Sequence, residues 1–384
     1  MSKQVLILSG LLGAAMVGSY LTWTNEDGTD ADDTIVALPG APEDIASVTY
    51  TAEKLTVELI GQEDDRGRFL WVTTTEKKRK PKPPKSHDDD HGDEHDEVPP
   101  LDEPPLEPGV DAPDAPDAPE EPVEPVEAVP EEPEYEDVIT SFMAGSSGDD
   151  LLADLAPFIA KRALGVVGEE RYEDYGLVEP KATLVVARDG KEARTFELGG
   201  EAYGTRDVYM LDTSNGQVYL VDKDLSRPLK SAASRMPERE LLGLEMGDVL
   251  AVRIETANDS RELEHRNRAD PKAAFFAPKG VEEKDDVVEA WLDKALALKS
   301  AGYVQAGSEP SGLETAFTVS LATGEGSTTL IVSTGTDSDG EVAWYASSDH
   351  TRGKLVELHA PQATEAAADL DAVFDDVELP ADEE

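Results

Sequence analysis

One pattern occurs twice along this chain of 384 residues, and the segments that follow it return in the same order. Alternating apolar residues at 44–50 return at 248–254. Each stretch is followed by a second short apolar run, an amphipathic helix pattern (149–164 and 283–301), a Gly-Leu pair, further strand-like stretches and a final helical segment (228–236 and 363–374). Such a duplication predicts that one structural unit is used twice, and it limits the fold more than any single motif does.

The pattern within each unit mixes strands and helices. Val48 and Tyr50 alternate with polar neighbours and predict a half-buried strand, while Asn215-Gly216 predicts a hairpin turn. Pro157 is expected to kink the first helix. The sequence therefore predicts an α+β fold: two tandem copies of a unit with antiparallel strands plus packed helices, preceded by one transmembrane helix. The expected bounds are 42–242 for the first unit, 243–374 for the second and 375–384 for an acidic tail.

The N-terminus predicts a membrane anchor over residues 1–24. Nineteen uncharged residues begin at Val5 and end at Trp23, with Lys3 before them and acidic residues after them. As a helix this segment spans roughly 28 Å, close to the thickness of a bilayer core. The charge asymmetry favours an N-terminus inside the cell and an exported body. A cleaved signal peptide is the alternative, although no convincing cleavage site is present. Residues 25–41 read as a polar stalk.

Residues 77–137 interrupt the first unit. Six basic residues lie within 77–85, and 86–137 contain 22 acidic residues, many prolines and no Lys or Arg. This composition predicts a disordered insertion, because it offers too little apolar surface to offset the entropy of ordering. The second unit passes from its strands to its helix without such a tract. We therefore expect the insertion to be a loop whose ends stay close rather than a linker between domains.

The insertion also carries the candidate metal ligands. His87, His91 and His95 recur every four residues among acidic neighbours, and imidazoles with carboxylates suit Zn²⁺, Ni²⁺ or Cu²⁺. The competing interpretation is a solvated acidic tract with incidental histidines, since Gly92 and the dense acidic run disfavour a helix. The basic run at 77–85 either binds anionic head groups or pairs with the following acids.

Catalytic motifs are not evident elsewhere. The net charge of -49 disfavours nucleic acid as a partner, and the absence of cysteine excludes disulfides and Cys nucleophiles. The Gly145–Gly148 and Gly324–Ser327 stretches read as loops, and residues 337–340 resemble half of a calcium loop that lacks its final Glu. The histidines outside the insertion are expected at the surface, namely His265, His350 and His359. Six aromatic residues are expected in the core: Trp71, Tyr209, Tyr219, Trp291, Trp344 and Tyr345.

Several short motifs resemble a known family. They include residues 42–48, Phe69-Leu70-Trp71-Val72, Arg162-Ala163-Leu164, Tyr175-Gly176-Leu177, Leu198-Gly199-Gly200, Asp207-Val208-Tyr209 and residues 216–221. On these motifs the chain is similar to the uncharacterised bacterial family domain of unknown function 4340, over most of residues 42–255. The resemblance implies an N-terminally anchored envelope protein, often encoded near auxiliary parts of gliding-type ABC transporters. It supplies no catalytic residues.

Together these features predict a noncatalytic, single-pass envelope protein. We expect it in the inner (cytoplasmic) membrane, with its N-terminus inside and its body in the periplasm or another extracytoplasmic space. The expected partners are the lipid bilayer, through Val5 to Trp23, and other envelope or transporter proteins, with no cofactor. Two alternatives stay open: an envelope hydrolase with a carboxylate site that no motif reveals, and a metal- or cation-binding module that acts through the insertion.

Overall fold

The computed structural model of the protein describes residues 34–80, 134–270 and 272–375. They form mostly antiparallel β-sheets with a few helices, which confirms the α+β class. The predicted anchor, most of the predicted insertion and nearly all of the acidic tail lie outside these ranges. Within them, no helix is long and apolar enough to cross a membrane. The described residues outside 77–137 form one compact unit.

The larger sheet has nine strands, which arise from the alternating stretches in the first half of the chain. In spatial order the strands are β5 (Tyr135–Met143), β4 (Gly67–Arg79), β3 (Leu55–Asp64), β2 (Ile45–Ala52), β8 (Ala182–Arg188), β9 (Arg194–Glu201), β10 (Asp207–Asp212), β11 (Gln217–Asp222) and β7 (Arg162–Val166). From β4 to β7 the neighbouring strands pair antiparallel, and in β2 the buried side chains Val48 and Tyr50 are two positions apart.

The second sheet has eight strands from the second half of the chain. Its spatial order is β14 (Phe275–Ala277), β13 (Ser260–Arg266), β12 (Val249–Glu255), β16 (Ser311–Thr323), β17 (Ser327–Thr336), β18 (Val342–Ser348), β19 (Val356–Leu358) and β15 (Ser300–Tyr303). A third, small sheet pairs β1 (Ile35–Leu38) with β6 (Phe158–Ala160). Residues 25–41 are therefore not a uniform polar stalk: Ala37 and Leu38 are buried in the core.

Six helices pack on these sheets: α1 (Ser146–Leu155), α2 (Arg227–Lys230), α3 (Ala232–Arg235), α4 (Asp286–Leu296), α5 (Ala360–Ala368) and α6 (Leu370–Phe374). The predicted helix at 149–164 is too long, because α1 ends at Leu155 and Pro157, which lacks an amide donor, precedes strands β6 and β7. The second prediction, 283–301, also runs too far, since residues 300–303 pair with β19. The final helical segments at 228–236 and 363–374 are confirmed.

One apolar core extends through both large sheets. Trp291 is 1% exposed, donates from Nε1 to the Ala366 carbonyl (2.7 Å) and packs edge-on against Phe317. Five of the six aromatic residues expected in the core belong to or pack against an apolar cluster, and the sixth, Tyr345, is 4% exposed, so that prediction is confirmed.

Two reciprocal arginine–aspartate pairs join the sheets at their rim. Arg66 Nη2 lies 2.5 Å from Asp349 Oδ1, and Arg352 Nη1 lies 2.9 Å from Asp64 Oδ1. Asp64 and Arg66 belong to the β3–β4 hairpin, while Asp349 and Arg352 belong to the turn between β18 and β19. The side chains are partly exposed, so each pair contributes about 1 kcal/mol or less. Their crossed arrangement chiefly fixes how the hairpin and the turn align.

The two ends of the insertion are joined directly. The backbone N–H of Lys80 donates to the Glu134 carbonyl (2.9 Å), and Lys80 Nζ lies 3.2 Å from Glu134 Oε2. His87, His91 and His95 lie outside the described residues. The joined ends agree with an insertion, but the predicted bounds of 77–137 are too wide, because β4 continues to Arg79 and β5 begins at Tyr135.

We therefore predict that replacing residues 81–133 with a short Gly/Ser linker leaves the fold intact. The shorter loop should raise the free energy of unfolding by about 1–2 kcal/mol, because loop-closure entropy grows with the logarithm of length. Urea unfolding followed by circular dichroism measures this change. Loss of a cooperative transition would contradict the insertion hypothesis.

Helix α4 begins at a residue that also forms an ion pair. The Asp285 carboxylate accepts hydrogen bonds from the backbone N–H groups of Val287 (3.1 Å) and Val288 (3.2 Å). Its second oxygen lies 2.8 Å from Arg261 Nη2, and these side chains are only 11% and 14% exposed. Arg261 also donates to the Val373 carbonyl. One carboxylate thus joins a strand, a helix start and the C-terminal helix.

Asp285→Ala should lower the free energy of unfolding by about 3–5 kcal/mol, because it removes the cap and leaves Arg261 without its ion-pair partner. Asp286→Ala is the matched control, since the neighbouring side chain is 89% exposed. It should change stability by about 0.5 kcal/mol or less. Equal losses in the two variants, measured by urea unfolding, would refute this role for Asp285.

Candidate functional site

A groove of about 520 Å³ opens at one end of the nine-stranded sheet. At this end β2, β9 and β11 finish while β8 and β10 begin, as antiparallel order requires. The groove lies between this part of the sheet and the helical segment that follows β11. Its volume is within the range usual for small-molecule sites.

The floor of the groove is largely apolar. It includes Ala182, Leu198 and Val221, which are buried, and Val208, which is half-buried. Tyr50 is also in the lining and is 1% exposed. Burial raises the pKa of the Tyr50 phenol. The floor therefore offers apolar surface together with one polar group.

The opposite wall is a short helical segment whose start is determined by nearby residues. Asp222 caps its first 3-10 turn by accepting from the backbone N–H of Asp224 (2.9 Å), and Pro228 favours the start of α2. Leu229 and Ala232 anchor the segment in the core. Because Leu229 and Ala232 face the core, the long basic side chains of the segment lie at the groove.

The rim is rich in cations. Five basic residues line the groove against three acidic ones, namely Lys181, Lys223, Arg227, Lys230 and Arg235 against Glu201, Asp222 and Asp224. Arg227, Lys230 and Arg235 are exposed, and no carboxylate of the described residues lies within 4.0 Å of their charged groups. A local excess of free cations is unusual in a chain with 34 basic and 83 acidic residues.

A lysine fixes the acidic end of the groove. Lys161 Nζ lies 2.6 Å from Asp207 Oδ1 and 2.8 Å from Asp222 Oδ2. Hydrogen bonds to these carboxylates raise the pKa of Lys161, and the bond from Lys161 lowers the pKa of Asp222, as does the Asp224 amide. Asp222 is thereby held ionised while it caps the helical segment.

A second cluster of ionisable groups joins the end of the first half to the second sheet. Glu238 Oε2 lies 3.6 Å from His350 Nε2, and the Glu240 amide donates to Glu238 Oε1 (2.7 Å). The histidine lowers the pKa of Glu238, while burial raises the pKa of Tyr303, whose buried hydroxyl has no partner among the described residues. A Cβ at Gly243 would lie 2.1 Å from His350 Nδ1, so the chain packs tightly against the ring.

The remaining histidines lie in different surroundings. His359 is exposed, as predicted, but His265 and His350 are partly buried. His265 Nδ1 lies 2.8 Å from the Val249 carbonyl, and its ring stacks on Phe276 at 4.3 Å. The polar neighbours of His265 in the sequence do not indicate its burial. His265 lies two residues after the buried Leu263 in β13, so both side chains are on the same face of the sheet. Within the described ranges, no group of three or more His, Asp or Glu residues is arranged to hold a metal ion.

The loop motifs behave as turns. Residues 324–326 connect β16 to β17, and Gly145 stands at the cap of α1. Asp337 Oδ1 accepts hydrogen bonds from the backbone N–H groups of Asp339 (2.9 Å) and Glu341 (2.8 Å). This carboxylate therefore organises the β17–β18 hairpin.

Several of the motifs on which the family resemblance rests, from Leu164 to Val218, contribute to a small second core. Gly176 has φ 64°, and a Cβ there would lie 2.8 Å from Gly200 N, while one at Gly199 would lie 2.4 Å from the Tyr175 carbonyl oxygen. The Tyr175 and Tyr209 rings pack edge-on at 4.7 Å. The buried members of this core are Val167, Leu177, Leu211 and Val218. Close packing accounts for the glycines of these motifs.

Residues 149–316 match the family described as "Domain of unknown function (DUF4340)". The predicted resemblance is thus confirmed over this span, which runs from α1 into β16. It includes the second core and the groove residues from Lys181 to Arg235. No curated protein and no solved structure matches the chain. The DUF4340 match supplies no site residues.

The groove is not predicted by the sequence patterns described above. A signal was present, because Lys223, Arg227 and Lys230 follow one another at helical spacing in an otherwise acidic chain. Their meeting with Lys181 and the strand-end floor depends on the sheet order, which the spacing does not reveal.

The Lys161–Asp222 contact predicts a pH dependence. A lowered carboxyl pKa stabilises the fold above the unfolded value, 3.8 for Asp222, and this contribution is lost as the pH falls through the folded value. In Lys161→Gln the folded pKa of Asp222 should rise toward 3.8, as followed by carbon NMR of the carboxyl group. An unchanged titration of Asp222 would show that Lys161 does not stabilise its charge.

Proposed function

We propose that this DUF4340 protein is a noncatalytic, single-pass envelope protein and an accessory component of a membrane transport machine, of ABC type, or of an envelope assembly. Its N-terminus lies inside, its anchor crosses the inner membrane and its body binds its partners outside the cytoplasm. The groove carries this proposal. An apolar floor beside unpaired cations is suited to binding, and no nucleophile motif accompanies it.

The position of β1 supports a groove close to the membrane. Ile35 is paired with Ala160, and the next residue, Lys161, contacts Asp222 of the groove lining. The predicted span ends at Trp23, so the chain from there to Ile35 reaches at most roughly 40 Å. The chain therefore enters the folded body at the end of the sheet where the groove lies.

We also propose that the two large sheets are two copies of one unit. With β5 set aside, the spatial order β4-β3-β2-β8-β9-β10-β11-β7 corresponds strand for strand to β14-β13-β12-β16-β17-β18-β19-β15. In each half a helix, α1 or α4, precedes the strands that cross to the far edge. The extra strand, β5, follows the insertion, so the insertion accounts for the one departure from the shared order.

Two alternative functions can be tested directly. The Glu238–His350 pair with the unpartnered Tyr303 hydroxyl favours a hydrolase as the second candidate. Turnover of an envelope ester that is lost in Glu238→Gln would identify it. A metal- or cation-binding role through His87, His91 and His95 rests on the sequence pattern alone. Calorimetric titration with Zn²⁺ tests that role.

The topology is testable with single cysteines, because the chain has none of its own. Ser338→Cys places a thiol in the exposed turn after β17, and Ser2→Cys places one before the predicted span. A membrane-impermeant maleimide should label Ser338→Cys in intact spheroplasts and label Ser2→Cys only after permeabilisation. The reverse pattern, or equal labelling of both, would overturn the envelope assignment.

A further inference from the structure

We infer that the groove binds a membrane-derived lipid with an anionic head group and one acyl chain. The inference deepens the proposed function by naming the ligand of the same groove, and it uses that proposal only for the nearness of the membrane. The head group is held by Arg227, Lys230 and Arg235, and the acyl chain lies on the floor formed by Ala182 and Leu198.

The acyl chain is matched by the floor. Ala182, Leu198 and Val208 present apolar side chains at the ends of three neighbouring strands. An acyl chain that covers these side chains removes apolar surface from water, which favours binding. The groove is open rather than sealed, so a long chain has access from the same end of the sheet at which β1 begins.

The head group is matched by the rim. Arg227, Lys230 and Arg235 have no acidic partner within 4.0 Å among the described residues, so an anion meets charges that are already free. The net charge of -49 repels anions at long range, yet interactions beyond about 8–10 Å are largely screened at physiological salt. The local excess of cations therefore determines the sign of charge that binds.

Tyr50 supplies one polar group beside the apolar floor. The residue is 1% exposed and lines the groove. In the bound lipid, an ester carbonyl at the base of the head group accepts a hydrogen bond from the Tyr50 hydroxyl.

A lipid suits this groove better than an acidic peptide does. Carboxylates spread along a peptide would place charge against Leu198 and Val208, where burial without a partner is costly. A lipid concentrates its charge at one end and its apolar surface at the other. The distribution of cations and apolar side chains in the groove has the same polarity.

The test uses the full chain in phosphatidylcholine nanodiscs with the fluorescent fatty acid dansyl-undecanoate as the probe. The probe should bind, and lysophosphatidylglycerol should displace it at concentrations at least about tenfold lower than lysophosphatidylcholine requires. Lys230→Gln combined with Arg235→Gln should weaken binding about tenfold or more. Lys272→Gln combined with Lys279→Gln removes the same charge at exposed positions outside the groove and should have no effect.

A second variant tests the floor without altering charge. Ala52 is half-buried at the groove, and Ala52→Trp should fill the floor and abolish probe binding while the thermal melt stays cooperative. Three results would each overturn the lipid assignment: equal weakening by the two charge variants, equal displacement by the two lysolipids, or stronger displacement by an oligoglutamate peptide. With cysteine labelling that still places the body outside, such a result leaves the proposed envelope role standing.

Discussion

Burial of the apolar faces of two antiparallel sheets is the constraint on which the rest of the structure depends. An antiparallel sheet commonly has one apolar face and one solvated face. Helices or the neighbouring sheet must cover the apolar face to complete a core. Here one core includes Leu59 and Phe196 of the first sheet and Phe317 of the second. The crossed Arg66–Asp349 and Arg352–Asp64 pairs add little free energy and act at the rim of this shared core.

The sequence predicts the strands better than the ends of the helices. Strand alternation is local, so the hairpin at Asn215-Gly216 follows directly from residue types. Helix α1 ends at Leu155, nine residues before the predicted end at residue 164, because Pro157 ends it and the next residues pair with β1. Pairing partners far away in the sequence also make Ile35–Leu38 a strand, although its flanks look like a stalk. These features depend on tertiary contacts that no local pattern contains.

The residues that resemble DUF4340 motifs and the residues that line the groove have different structural roles. The motif residues, such as Gly176, Gly199 and Tyr209, shape a small core in which a side chain on either glycine would collide with the backbone. The groove cations are exposed and free of such constraints, so only the sheet order brings Lys181 beside Lys230. Recognition of the fold and recognition of a ligand thus rest on separate residues.

The hydrogen bond from Lys80 to Glu134 has a practical consequence for this chain. Because Lys80 and Glu134 are already hydrogen-bonded to each other, a segment inserted between them need not alter the pairing of the sheet. We therefore expect that a fluorescent reporter or an affinity module inserted between Lys80 and Glu134 leaves the strand pairing intact.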